Sequence, residues 1–156
     1  MAATTIMAVV MGSVVVVIRS GYAVWNAYED DVAVMENAYA VLRHFARQMR
    51  QAQGVSAIST AVDTTGDLSI NTVGGAVHSW SLNGGNQQVT YDNGTTTGLL
   101  AQSINQMTFV GYEPDGVTAT TAVDDIQLVQ CTVQVTLSLG GGMTRDVSTM
   151  AWIRSW

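Results

Sequence analysis

The chain has no lysine, a single cysteine, a single proline and two histidines in 156 residues. Charged residues make up 12% of it, about half the ~25% usual in a soluble domain. Each shortage excludes something. Cys131 has no partner, so a disulfide framework is out. Cys131, His44 and His78 are too few for a zinc site of the usual cysteine/histidine kind. Six arginines against twelve acids give a net charge of −6, and no basic stretch interrupts it, which excludes a nucleic-acid partner. The chain is nonetheless 47% hydrophobic, too apolar for a disordered segment. Its length suits one domain and an appendage.

The charge that is present is uneven. Residues 1–50 hold Arg19, Arg43, Arg47 and Arg50 against Glu29, Asp30, Asp31 and Glu36. Residues 51–156 hold Arg145 and Arg154 against eight acids. The second region is polar through Thr, Ser, Gly, Asn and Gln rather than through charge.

Met1 to Ile18 carries no charge at all. Eighteen helical residues span roughly 27 Å, close to a ~30 Å hydrocarbon core. Ile6, Val9, Val10, Val14, Val17 and Ile18 supply the apolar surface, and Gly12 and Ser13 suit close approach of another helix. A membrane-spanning helix, a cleaved signal peptide and a buried core segment are the competing readings. No basic residue precedes the run and Arg19 follows it, opposite to the usual flank for a domain outside the cytoplasm.

From Ser20 to Ala52 there is no proline. Trp25, Tyr28, Val32, Met35, Tyr39, Leu42, Ala46 and Met49 alternate spacings of three and four, a sustained helical stripe. Val34, Ala38, Val41 and Phe45 widen it. The width predicts packing on a sheet through Met35, Tyr39, Leu42, Phe45 and Met49; the strict seam also suits a coiled coil or a helical filament. Gly54 is the expected stop. Joined to the apolar run, this is one helix of about 50 residues, roughly 75 Å long, too long to fit inside a globule of this size.

After Gly54 the period becomes two. Expected strands are Val55–Val62, Leu68–Thr72, Ala76–Leu82, Gln88–Tyr91, Met107–Tyr112, Ile126–Leu139 and Thr144–Arg154. Asp63–Asp67, Gly74-Gly75, Asn83–Asn86, Asn93-Gly94, Pro114–Gly116 and Gly140–Gly142 punctuate them as turns. The alternation changes phase near Val129–Cys131, which suggests a bulge or bend. Short connections imply an antiparallel sheet with one face covered by the helix. The organisation is therefore α+β: residues 1–20 as the transmembrane or filament-core half of a helix, 21–53 as its amphipathic half, and 54–156 as a β domain.

No catalytic set stands out. His78 reads as a solvent-facing strand residue and His44 as a solvated helix position. Asp63 with Asp67, and Asp124-Asp125, have oxygen ligands for calcium but lack EF-hand spacing, and no other cofactor is expected. Asn93-Gly94-Thr95 is a sequon and, more simply, a hairpin turn. Cys131 reads as a small buried apolar residue. Trp80, Trp152 and Trp156 would form a stacking platform for a sugar-like ligand if they shared an open sheet face.

The layout resembles the type IV pilin and type II secretion pseudopilin superfamily, in particular minor pilin-like proteins of the pilus W and secretion J kind. Phe45-Ala-Arg47-Gln48-Met49-Arg50-Gln-Ala52 is similar to their helix-ending L-x-R-D-L-R-x-A, with Gln48 in place of the acid. Ile104-Asn-Gln-Met107-Thr-Phe109-Val-Gly-Tyr112-Glu-Pro-Asp-Gly116 resembles V-x-x-L-x-F-x-Y ending in D-G. Asp125-Ile126 through Arg154 matches a closing hairpin. The family's F-T-L-x-E start has no counterpart in Met1-Ala-Ala-Thr-Thr5, so the resemblance implies a leader and a short mature stretch ahead of Met1. It further implies a structural subunit rather than an enzyme, anchored in the inner membrane with its sheet domain outside the cytoplasm. Its partners would be other pilin or pseudopilin subunits, with no small-molecule substrate. The alternative of a different class is a membrane-anchored binding module that works alone; a hydrolase would need His78 or the acids to converge in a pocket.

Overall fold

The computed structural model describes residues 2–139 and 141–153. One helix, α1 (Ala2–Met49), is followed by nine strands: β1 (Ala52–Ile58), β2 (Asp67–Thr72), β3 (Val77–Asn83), β4 (Gln88–Asp92), β5 (Thr97–Gln102), β6 (Gln106–Tyr112), β7 (Ala119–Thr120), β8 (Leu128–Leu137) and β9 (Met143–Trp152). This is an α+β fold, a very long N-terminal helix packed on antiparallel sheet. Forty-eight residues without proline make a rod of about 72 Å.

The strands form two sheets rather than the expected one. The first has the order β1-β2-β3-β4-β5 and the second β7-β6-β8-β9, with every strand pair antiparallel. The turn at Asp63–Asp67 stitches the two together. Gly66 N–H donates to Met107 O at 2.8 Å and Met107 N–H to Thr64 O at 2.9 Å. A Cβ at Gly66 would lie 2.8 Å from Met107 O, so only glycine permits that approach.

Several boundaries differ from the sequence reading. The helix ends at Met49, and Gly54 lies inside β1 beside a register shift. Ala52 and Val55 are both buried, so the chain already runs as strand there and Gly54 stops nothing. Strands β5 and β7 were not anticipated. The phase change in β8 is not a bulge: Leu128–Leu137 pairs with Met143–Trp152 without a shift. Cys131, Val133 and Val135 face the core together with Val129. Leu128 points to the opposite face and is covered there by Gly116 and Trp152, which lie within van der Waals reach of one another.

The core lies between the two sheets and the C-terminal half of α1. Phe45, Met49, Trp80, Leu68, Ile70, Phe109 and Met107 are fully buried in it. The helix packs against β8, β9 and β5.

Candidate membrane and assembly surface

Helix α1 has two halves with different surroundings. Every residue from Val10 through Asn26 is exposed. Seventeen residues at 1.5 Å rise span about 25 Å, and the helix continues back to Ala2, so its length to Asn26 exceeds a ~30 Å hydrocarbon core. The helix is long and apolar enough to cross a membrane, and its most apolar window is not buried by the rest of the chain. Val10, Val14, Val17 and Ile18 are about half exposed or more. Apolar groups left in water at this density require a cover, whether lipid or protein. Ile6 and Val9 fall on the same helix, but their side chains lie outside the described residues.

Local chemistry keeps this half helical without tertiary support. Ser13 donates from Oγ to Val10 O at 2.8 Å, which satisfies its hydroxyl within the helix. Nothing stands within 4 Å of where a Cβ at Gly12 would be, so Gly12 and Ser13 leave a shallow notch. Beyond Arg19 comes an exposed aromatic band of Tyr22, Trp25 and Tyr28. Trp25 Nε1–H donates to Glu29 Oε1 at 2.8 Å, one turn on, so the ring is held with its polar edge satisfied. Amphipathic aromatics of this kind sit well at a membrane–water boundary.

In the second half Leu42, Phe45 and Met49 are buried and Met35 is partly buried against the core. Tyr39 is 46% exposed, contrary to its expected place in the packing seam. The buried line instead runs through Ala38, Val41, Leu42, Phe45 and Met49. The seam is displaced to the adjoining stripe because small Ala38 admits the close approach that Tyr39 would block.

The helix and the β8–β9 hairpin are joined by an acid. Asp31 accepts hydrogen bonds from the backbone N–H groups of Ser138 and Leu139. This anchor was not anticipated; it links positions 107 apart or more, and no local pattern signals it. Tyr28, Val32, Met35 and Tyr39 then line a largely apolar hollow with Leu137 and Leu139, to which Asp31, Glu36 and Arg145 contribute the charged groups.

Both histidines are drawn out of solvent, contrary to the sequence reading. Trp80, fully buried, donates from Nε1 to His44 Nδ1 at 3.2 Å. Tyr91 Oη and His78 Nδ1 share a hydrogen bond at 2.8 Å. His44 packs edge-on to Tyr91 with centroids 4.4 Å apart. Burial, then the nearby Arg47, then His78 hold the His44 pKa below its ordinary value. The tryptophan platform does not form: Trp80 is core, Trp152 is exposed on the second sheet, and Trp156 lies outside the described residues.

The acids serve turns. Asp63 Oδ1 accepts from the Thr65 N–H and hydroxyl. Burial and the Asp63 charge push the Asp67 carboxyl up. Asp92 is held low by the Thr97 hydroxyl and the Gly94 N–H, and Asp115 by Thr118 and Val117. Asp124 and Asp125 are exposed. Asn93 Oδ1 accepts from the Thr95 and Thr96 N–H groups as a turn residue does. Among the described residues no three His, Cys, Asp or Glu side chains come together as a metal site. Cys131 is buried, and burial raises its thiol pKa. No family model matches the chain, and no curated protein matches it.

Proposed function

We propose that the chain is a structural subunit of the minor pilin or pseudopilin kind. Its apolar half-helix first sits in the inner membrane and then packs among the helices of other subunits in a type IV pilus or type II secretion pseudopilus. Its β domain stands outside the cytoplasm. The role requires no reaction, cofactor or small-molecule substrate. One observation carries it: an apolar helical half, exposed from Val10 to Asn26, continues without a break into a half that is buried in a β domain. A soluble domain working alone has no use for such an extension. Within that role Val10, Val14, Val17 and Ile18 give non-directional contact, suited equally to lipid and to other helices. Gly12 and Ser13 mark where backbones approach most closely.

The decisive experiment is intact mass and N-terminal sequencing of the natural protein extracted from membranes. A processed start upstream of Met1 with glutamate fifth supports the assembly role. An unprocessed start at Met1, or cleavage beyond Ile18, overturns it. The second reading, a membrane-anchored binding module, draws on the exposed Trp152 ring packed against Gly116, and becomes the better account in that event.

A further inference from the structure

The β8–β9 hairpin lies along α1 with its tip toward the apolar half of the helix. At the other end Ala46 and Arg50 stand beside Thr149–Trp152. Midway, Met35 and Tyr39 share a hollow with Leu137 and Arg145. Asp31 then holds the tip itself, through the N–H groups of Ser138 and Leu139.

A residue count gives the level of the tip on the helix axis. Asp31 stands six residues beyond Trp25, about 9 Å at 1.5 Å rise. Tyr28 and Leu139 line the same hollow, so the tip and the upper part of the aromatic band meet at one level. They also share a face, because Trp25, Tyr28 and Asp31 follow at spacings of three.

The chemistry of the tip suits a lipid surface. No charged residue occurs from Ile126 to Thr144. Leu139 is 47% exposed and Met143 66%. Gly141 and Gly142 have positive φ, with nothing within 4 Å of a Cβ at either, so the turn is slim. Their N–H groups donate back to Ser138 O and Leu137 O at 3.2 Å. Charge draws no anionic partner here: Glu29, Asp30, Asp31 and Glu36 outnumber Arg19 and Arg145 on this stretch of helix and hairpin. Asp31 is engaged by the tip and Glu29 by Trp25. What remains to make a contact is apolar and aromatic.

We propose that the tip of the β8–β9 hairpin rests in the headgroup layer of the bilayer that α1 enters, with Leu139 and Met143 dipping in beside Tyr28. The partner is a zwitterionic phospholipid surface. The inference rests on the membrane reading of α1 and adds a second point of contact to it. A single spanning helix leaves the domain free to turn about the helix axis; the tip fixes which side of the rod faces down. A tilt of about 20° is ordinary for a spanning helix, and a tilt toward the hairpin lowers the tip further. Apolar groups at this depth leave water while the backbone stays near it.

The test uses the full chain in phosphatidylcholine vesicles. Cys131 is buried, so a thiol-reactive NBD dye reports the introduced cysteine in Met143→Cys, Met150→Cys or Val14→Cys. Met150 is exposed on the same strand, seven residues or about 23 Å from Met143, toward the Arg50 end. Phosphatidylcholine carrying a nitroxide on its headgroup is expected to quench the dye at position 143 and not at 150. Nitroxide on the acyl chain is expected to quench it at position 14. Leu139→Cys repeats the reading should Met143→Cys not fold. No quenching at 143 with quenching at 14 would overturn the proposal and leave the membrane reading standing; no quenching at either position would overturn both. Equal quenching at 143 and 150 would overturn the proposal too, since no one side would then face the bilayer. So would a blue shift at 143 without quenching that disappears when the chain is diluted in lipid, which would give the patch to a second copy.

Discussion

Trp80 has one polar atom, and its partner sits on another element. The indole N–H meets His44 Nδ1 on the helix, and a proton on that nitrogen would face the donor with a second donor. Folding therefore favours neutral His44, in line with its lowered pKa. The unfolded chain binds this proton at about pH 6.5 and the folded chain only at lower pH. The unfolded state thus holds more protons in the window between, and stability falls as pH drops from 6.5 through the folded value. Denaturant titrations at pH 7.5 and 5.0 are expected to show that loss. Replacing His44→Gln, whose amide oxygen can accept from Trp80, is expected to flatten it. Neither histidine's role was legible in the sequence. His44 and Trp80 are 36 residues apart, and period alone assigns His44 to the wet side of the helix. Cys131 was legible, because alternation decides which side of a strand a residue occupies.

At the scale of elements, what could be read depended on how far the cause lay from the residues themselves. The helix, the β8–β9 hairpin and most turns rest on local causes: spacing, alternation, and glycines such as Gly94, which takes a positive φ. β5 escaped because Thr97–Gln102 shows exposed leucine and little alternation; β4 beside it supplies the pairing. The phase change in β8 was visible but misattributed, since its cover, Gly116 and Trp152, comes from elsewhere in the chain. The helix seam was one stripe off for a related reason: Tyr39 satisfies the spacing, while contact depth selects Ala38. Asp31 offers the sharpest test at this scale. Asp31→Ala deprives two hairpin amides of a charged acceptor, a change that costs about 1–2 kcal/mol when such bonds are partly solvated. Hydrogen exchange should speed up at Ser138 and Leu139 and stay unchanged in β2 and β3. Tyr39→Ala, at an exposed position, should move stability by no more than about 0.5 kcal/mol.

For the whole molecule, the long helix was legible because it needs only a count of apolar residues and the absence of proline. The division into two sheets was not, because strand order is decided by cross-chain ties such as Gly66 to Met107. The exposed and buried halves of α1 are energetically separate over residues 10–26. Deleting residues 2–26 should therefore leave the thermal midpoint of the β domain within about 3 °C, measured by circular dichroism. The unbroken rod also has a mechanical meaning. With no proline in a helix that runs without interruption from Ala2 to Met49, a pull on its apolar half is not absorbed at a proline hinge. It arrives as sliding along the helix axis, shared at once by Phe45, Met49 and the Asp31 tether. Contacts loaded together in this way yield at higher force than contacts peeled one at a time.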